Sequence, residues 1–260
     1  MELPIGIFDS GVGGTSIWKE IKELLPSENT VYLSDGKNAP YGEKSTEEIL
    51  NLSVKNTELL MQKGCKIVVV ACNTATTNAI SYLREKYDVS FIGIEPAIKP
   101  AALKTKTKKV GVLATKGTLA SSLFHNTSKL YAAGIEIFEQ EGTGLVALIE
   151  SGKIASEETK SLLEKYLSPM LQEGIDCLVL GCTHYPYLIP QIKKIVPDTV
   201  NIIDSGQAVA RQTKSVLESQ NLLNNSGNTR LEHQFYTNRE LAILKSFVYG
   251  STVKTAFLDF

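Results

Sequence analysis

Cys72 and Cys182 are the residues of this 260-residue chain whose neighbours could make a thiol reactive. Each closes an apolar run of strand length, Ile67 to Ala71 in one case and Cys177 to Gly181 in the other. Each is followed at once by polar side chains, Asn73 and Thr74 or Thr183 and His184. Apolar runs rich in β-branched residues that stop at a small residue read as buried strands. Both thiols are therefore expected at the carboxyl ends of strands, where open α/β sheets place their ligands. A free thiol titrates at about 8.5, and bringing it down to about 6.5 takes about 2.7 kcal/mol of differential stabilisation. A helix N-terminus just beyond each cysteine supplies part of that, because its unpaired N–H groups favour an anion. His184 supplies more beside Cys182, either as an imidazolium or as the acceptor of the thiol proton. Asp9 ends the strand expected beside Cys72. A carboxylate there raises a thiol pKa by like-charge repulsion, so Asp9 suits the role of proton acceptor rather than stabiliser of a resting thiolate.

A second echo points to a duplicated unit: Gly6-Ile-Phe-Asp-Ser-Gly11 reads against Gly111-Val-Leu-Ala-Thr-Lys-Gly117 at nearly the same offset as the two cysteine turns. Two half-chains of like construction, each with one strand-end thiol, can face one another across a cleft and hold a small ligand between two sulfurs. Such a pair suits a reaction in which one base takes a proton from one face of a carbon and an acid returns one to the other. Inversion at an amino-acid α-carbon fits, provided that the site grips carboxylate and ammonium groups. Ser10, Asn73, Thr74, Thr115, Thr118 and Thr183, all at strand ends or helix starts, are suitable donors to carboxylates.

The elements that must position these groups follow a strand–helix rhythm. Pro4 to Phe8 reads as a buried strand, Asp9 to Gly14 as a turn, and Ile17, Ile21, Leu24 and Leu25 mark one face of a helix that Pro26 ends. Asn29 to Ser34 is a second strand and Asp35 to Gly42 a loop dense in turn residues. Ser45 with Glu48 forms a capping box for a long helix that buries Ile49, Leu52, Leu59 and Leu60 and stops at Gly64. The first thiol strand follows, then a strand at Val89 to Ile94, and Pro96 and Pro100 suggest a hinge. Lys104 to Lys109 reads as a solvated linker. A second series then begins: strand Val110 to Ala114, a helix around Leu119 to Ala133, strand Gly134 to Phe138, helices Leu145 to Glu150 and Glu157 to Leu171, and the second thiol strand. A helix near Ile189 to Val196, strand Thr199 to Ile203 and a helix from Gly206 to about Leu217 come next. A polar loop from Asn221 to Thr229 precedes a tail with strands at Leu231 to Tyr236 and Val253 to Leu258 around a helix at Arg239 to Phe247. Strand–helix alternation means right-handed crossovers and parallel sheets. The expected fold is α/β: two doubly wound parallel-sheet domains related by pseudo-symmetry, with the active site in the interdomain cleft. The tail is too short to be a domain, so the first domain is discontinuous, residues 1–95 plus 205–260, and the second is 96–204.

Composition narrows the function classes. Basic and acidic residues number 27 and 28, for a net charge of −1, which leaves no electrostatic footprint for nucleic acid or an anionic membrane. No apolar run approaches the ~18 residues that span a bilayer. The start, Met1 to Pro4, has no basic region, so no leader is expected; the chain is expected in the cytoplasm with its four cysteines reduced.

Asp9-Ser10-Gly11-Val12-Gly13-Gly14, Pro40-Tyr41-Gly42, Ala71-Cys72-Asn73-Thr74-Ala75 and Gly181-Cys182-Thr183-His184-Tyr185-Pro186, in this order, closely resemble the glutamate racemases of bacterial cell-wall synthesis, within the aspartate/glutamate racemase superfamily. The resemblance covers nearly the whole chain and weakens after about Leu222. It implies a racemase that interconverts L- and D-glutamate with no cofactor and no metal and supplies D-glutamate to peptidoglycan. It assigns the α-proton of D-glutamate to Cys72 and that of L-glutamate to Cys182, with Asp9 assisting the first and His184 the second. Substrate contacts fall on Asp9, Ser10, Tyr41, Gly42, Asn73, Thr74, Thr183 and His184. A glutamate that helps the second thiol aligns with Glu150, although the segment around Glu141-Gly142-Thr143 departs from the pattern, as does Gly36 after Asp35. A homodimer is implied, and some relatives are activated by a UDP-muramoyl cell-wall precursor.

Other readings of the same residues remain. Cys65 and Cys177, before or inside apolar strands, read as buried hydrophobes. Gly11 to Gly14 reads as a tight turn; a dinucleotide fingerprint fails because Ser16 holds the third glycine position and two polar residues intervene after the strand. A zinc site from Cys72, Cys177, Cys182 and His184 lacks any paired C-x-x-C spacing. Asp9 could simply cap its turn, His184 satisfy a carbonyl, and Tyr41 pack its loop; His125 and His233 read as surface or core histidines. The rivals to glutamate racemisation are another amino-acid racemase of the superfamily and a non-catalytic nucleotide- or metabolite-binding protein.

Overall fold

The computed structural model describes residues 3–224 and 231–260. The polar loop expected over Asn221 to Thr229 therefore falls mostly outside the described residues, as do Met1 and Glu2 at the expected leaderless start. β1 (Ile5–Asp9) is buried at every position, the pattern of a strand covered on both faces, which needs a continuous apolar run rather than alternation. The turn after it enters α1 (Thr15–Leu24) through Gly14. A Cβ on Gly14 would lie 2.7 Å from the Asp9 Cβ and 2.8 Å from the Tyr32 hydroxyl oxygen, so the position is glycine for want of room. α1 buries Ile17, Trp18 and Ile21 and leaves Leu24 outside. β2 (Thr30–Ser34) leads through two short 3-10 turns, Gly36–Asn38 and Tyr41–Glu43, to α2 (Thr46–Gln62). The Ser45–Glu48 capping box is present, but the buried face of α2 is more polar than its leucines suggest: Ser53, Asn56 and Thr57 are buried beside Ile49 and Leu60, while Leu52 and Leu59 are half-buried. β3 (Ile67–Val70), α3 (Asn73–Lys86) and β4 (Ser90–Gly93) follow.

The next stretch comprises α4 (Ile98–Lys104), β5 (Lys109–Ala114), α5 (Lys116–Leu119), α6 (Ser122–Tyr131), β6 (Glu136–Glu141), α7 (Leu145–Glu150), α8 (Glu157–Gln172), β7 (Cys177–Gly181), a 3-10 turn (Tyr185–Leu188), α9 (Ile189–Ile192) and β8 (Asn201–Ile203). α10 (Gly206–Ser219), β9 (His233–Thr237), α11 (Leu241–Phe247) and β10 (Val253–Phe257) complete the described chain. No helix among the described residues is long and apolar enough to cross a membrane.

The chain divides into two compact units, Met1–Ile94 with Gly206–Phe260, and Glu95–Ser205. Each is an α/β domain built on its own all-parallel sheet. In the first the strand order is β10-β9-β2-β1-β3-β4, and in the second β6-β5-β7-β8. The core order β2-β1-β3-β4 is thus repeated as β6-β5-β7-β8, the structural form of the internal echo in the sequence. The tail joins the first sheet, with β9 beside β2 and β10 beside β9. In the second unit Val110, Val112, Ala114, Cys177 and Val179 from β5 and β7 pack with Phe124 of α6 and Ala101 of α4.

Three local expectations change. The single helix expected around Leu119 to Ala133 is two, because the Ser121 side chain accepts the Phe124 amide at 3.2 Å and starts a new helix. The strand expected at Gly134 to Phe138 is displaced to Glu136–Glu141 by the left-handed turn at Gly134, φ +75°. Lys104 to Lys109 is not a free solvated linker. The Asp176 carboxylate accepts the Thr105 hydroxyl at 2.5 Å and the Lys106 and Thr107 amides at 2.6 and 3.1 Å. Burial pushes the Asp176 carboxyl up, but those donors outweigh it and hold the group at about 2.

One buried ion pair anchors the start of the strand that leads to Cys72. Lys66 Nζ lies 2.6 Å from Glu28 Oε2 and also donates to the Leu222 carbonyl at 2.6 Å and Asn224 Oδ1 at 2.9 Å, with both charged side chains almost wholly buried. Removing one partner strands the other charge. Lys66→Met is expected to cost about 3–5 kcal/mol in chemical denaturation, and Glu28→Gln/Lys66→Met distinctly less. Equal losses for the single and double variants would show that the pairing itself contributes nothing.

Candidate active site

In both sheets the chain leaves the central strand to one side and later returns on the other, so the strand order reverses between β1 and β3 and again between β5 and β7. The carboxyl ends flanking such a reversal are where open α/β sheets bind ligands. In the first unit those ends present Asp9 and Cys72; in the second they present Thr115 and Cys182.

At the first reversal Cys72 is the N-cap of α3. Its backbone is extended while its Sγ accepts the Ala75 amide at 3.4 Å, so a thiol occupies the place that a serine hydroxyl usually takes. The same Sγ donates to Ser10 Oγ at 3.7 Å. Asp9 is fully buried and its Oδ2 accepts the Gly14 amide at 2.7 Å, so it does cap its turn while facing the same strand end. Asn73 begins α3 with 3% exposure, and neither polar atom of its carboxamide has a hydrogen-bond partner. An unsatisfied buried amide costs about 1–3 kcal/mol, a cost that points to a ligand made at that spot. Thr74 is buried beside it.

Tyr41 and Gly42 are also buried, in the second 3-10 turn. The Tyr41 hydroxyl donates to Asp35 Oδ2 at 2.5 Å and accepts Asn56 Nδ2 at 3.1 Å. Burial, then the adjacent Asp35 charge, then the nearby Cys72 sulfur raise its pKa well above the ordinary value, so it stays a protonated donor. The hydroxyl is committed within the protein, to Asp35 and Asn56. Asp35, Asn56 and Asn238 form this polar cluster; the sequence draws attention only to Asp35, as the ribose-binding acid of the rival dinucleotide reading, and marks none of the three as a partner of Tyr41. Asp35 sits among turn formers, Asn56 within a helix, and Asn238 in the tail.

At the second reversal Cys182 Sγ lies 3.7 Å from His184 Nδ1, and His184 Nε2 lies 2.6 Å from Glu150 Oε1. Glu150 is the last residue of α7, a helix entered through Gly144 in the left-handed region at φ +82°. His184 and Glu150 are 1% and 4% exposed, so carboxylate, imidazole and thiol form a line out of solvent. Burial pulls the His184 pKa down, but the hydrogen bonds and charges of Cys182 and Glu150 outweigh it and raise it well above the ordinary value. Thr183 is buried beside Cys182. Thr115 and Thr118 are turned towards one another, Oγ to Oγ at 3.0 Å, and Thr115 caps α5.

The remaining cysteines have different surroundings. Burial pushes Cys65 up to about 12 and Cys177 up to about 11, which makes both poor nucleophiles and poor bases. Among the described residues no group of three or more His, Cys, Asp or Glu side chains is disposed to hold a metal ion.

Residues 5–213 match the family described as Asp/Glu/Hydantoin racemase. The chain belongs to that family. It is accordingly an enzyme, an isomerase. A glutamate racemase from Herpetosiphon aurantiacus is 48% identical over 221 residues, covering 85% of this chain and 87% of its own. A glutamate racemase isoform of Bacillus anthracis superposes with a TM-score of 0.86 at 30% identity, covering 99% of this chain and 98% of that one. The Escherichia coli glutamate racemase, solved with L-glutamate and the activator UDP-MurNAc-ala, has a TM-score of 0.83 at 33% identity, with coverage of 97% and 98%.

In this racemase the His184–Glu150 pair carries a pH signature. A histidine whose folded pKa is raised contributes stability that is fully present below its unfolded value of about 6.5 and is lost as pH rises through the folded value. Glu150→Gln is therefore expected to lower the His184 pKa in an NMR titration. It should also destabilise the protein most below about pH 6.5, by about 3 kcal/mol, with the gap narrowing as pH rises. A gap of constant size across pH would mean that His184 is neutral in the native state.

Proposed function

We propose that the chain interconverts L- and D-glutamate without a cofactor, with Cys72 and Cys182 as the two bases. The observation that carries this reading is the repetition of one arrangement: a buried thiol at the reversal point of a parallel sheet, once in each unit, beside a group able to handle its proton. The similarity to glutamate racemases over almost the whole chain supports glutamate as the substrate.

Racemisation needs a base on one face of the α-carbon and an acid on the other. With D-glutamate bound, the Cys72 thiolate takes the α-proton, the C–H electrons pass into the α-carboxylate to give a planar carbanion, and the Cys182 thiol donates its proton to the opposite face. L-Glutamate is released, and the thiols are left in exchanged protonation states that reset through solvent. The reverse reaction starts from a Cys182 thiolate. Asp9 accepts the proton that readies Cys72; His184, held by Glu150, assists Cys182 as the imidazolium that steadies its thiolate. Charge developing on the carboxylate is met by Ser10, Asn73, Thr74, Thr183 and the opening amides of α3. Asn73 fits that role because its buried carboxamide is unpaired. Thr115 and Thr118 stand at the helix start beside Cys182's strand, and Tyr41 and Gly42 meet substrate through ring and main chain.

The D-glutamate formed supplies peptidoglycan synthesis in the cytoplasm, a setting in keeping with four free cysteines. The assembly is a homodimer. The activator UDP-MurNAc-ala, held by the E. coli relative, supports regulation of this chain by a UDP-muramoyl precursor.

Purified protein given L-glutamate and no added cofactor should yield a mixture of both enantiomers by chiral chromatography. Cys72→Ser and Cys182→Ser should each lower racemisation by about 10²–10⁴-fold, the usual contribution of a proton-transfer group. A wild-type protein that binds glutamate but forms no D-glutamate would favour the metabolite-binding alternative. Near wild-type turnover in both directions by either serine variant would overturn the two-base assignment.

A further inference from the structure

We propose that Asn238 is a positioning residue for the Tyr41–Gly42 turn. The proposal rests on the reading above, in which that turn meets substrate. Asn238 follows β9 and is buried. Its Oδ1 accepts the Lys37 amide at 2.9 Å, while its Nδ2 donates to Asp35 Oδ1 at 2.6 Å and to the Phe260 main-chain oxygen at 3.1 Å. With one donor facing Oδ1 and two acceptors facing Nδ2, only one orientation of the amide satisfies all three partners. Asp35 also accepts Asn38 Nδ2 at 2.8 Å and the Tyr41 hydroxyl at 2.5 Å. A continuous chain of hydrogen bonds therefore runs from the tail through Asn238 and Asp35 to Tyr41.

Neighbouring contacts order the tail and tie it to the Gly36–Asn38 turn that precedes Tyr41. The Leu258 amide bonds the Thr237 carbonyl at 2.9 Å, Lys37 Nζ pairs with Asp259 at 3.3 Å, and a Cβ on Gly36 would sit 3.0 Å from the Arg239 Cβ. A carboxamide is the side chain this position requires. It is neutral, it donates to a carboxylate, and it accepts a main-chain N–H in the same plane. An aspartate would fit the space but would set two carboxylate oxygens at the 2.6 Å separation now bridged by a proton.

The test compares Asn238→Asp with the smaller, uncharged Asn238→Ser in steady-state racemisation of both enantiomers. A displaced turn weakens ground state and transition state alike, so KM should rise about tenfold in each variant while kcat changes little. The variants should part in their pH dependence. The charged groups facing position 238 are Asp35, Lys37, Arg239 and Asp259, with Tyr41 behind Asp35 and Lys55 over the Phe260 ring. Asp35 is the buried one in direct contact, so it raises the pKa of an aspartate at 238. As pH falls from about 8 to about 6 that aspartate regains a proton, donates to Asp35 and recovers KM relative to wild type, whereas the serine variant does not. Unchanged KM in the serine variant, or the same pH profile in both, would overturn the proposal. If the aspartate variant fails to fold, the serine variant alone decides. Should the wild type not racemise glutamate, the substrate reading is at fault. The link is then read from the ring carbon of ¹³C-labelled Tyr41, assigned with Tyr41→Phe; its resonance should move in Asn238→Ser, and an unmoved resonance would overturn the proposal.

Discussion

A strand buried on both faces can hold no unpaired polar side chain along its length, because each such group would cost free energy with nothing to offset it. β1, β3 and β7 are buried throughout, and β5 almost so. Polar chemistry in this molecule is thereby displaced to one kind of place, the edge where each parallel strand gives way to a turn and helix. There the chain has free main-chain amides, room made by glycine, and side chains whose direction the strand has already set. Cys72, Cys182, Asp9 and Thr115 all stand at such edges. Cys65 and Cys177 do not, and burial is the largest influence on their thiols, joined at Cys177 by the neighbouring Asp176 carboxylate.

The two halves repeat a strand order but hold their thiols by different means. Cys72 is held by a helix: its sulfur takes an amide of α3, and Asp9 beside it is fixed by the Gly14 amide. Cys182 is held by a side-chain relay, with His184 gripped by a carboxylate from α7. A duplicated scaffold thus surrounds its two thiols with unequal neighbours, a carboxylate at the strand end beside one and an imidazole–carboxylate pair beside the other. Unequal partners suit a catalyst whose two directions begin from opposite protonation states.

Much of this was legible in the sequence where the signal is local. The thiol strands, the Ser45 capping box and the alternation that makes parallel sheets all depend on residues a few positions apart. Glu150 was legible only through family resemblance, since no spacing rule joins a helix end to a histidine 34 residues away. The Asn238–Asp35 contact spans 203 residues, and nothing in either neighbourhood announces the other. Boundaries slipped where a side chain overrode periodicity, as at Ser121, or where a polar edge strand such as β6 lacked the apolar run that marks its neighbours. The basic run at Lys104 to Lys109 looked like a solvated linker because the carboxylate that orders it, Asp176, comes some 70 residues later, just ahead of β7.

The central claim is that two separate thiols serve the two faces of one carbon, and the history of the α-hydrogen tests it directly. L-Glutamate is converted in D2O, and both enantiomers are isolated while little product has formed. Two-base chemistry predicts D-glutamate that carries one α-deuterium from its first appearance, with the remaining L-glutamate still protiated. Deuterium entering the recovered L-glutamate as fast as product forms, or product that retains the original hydrogen, would mean that one group serves both faces.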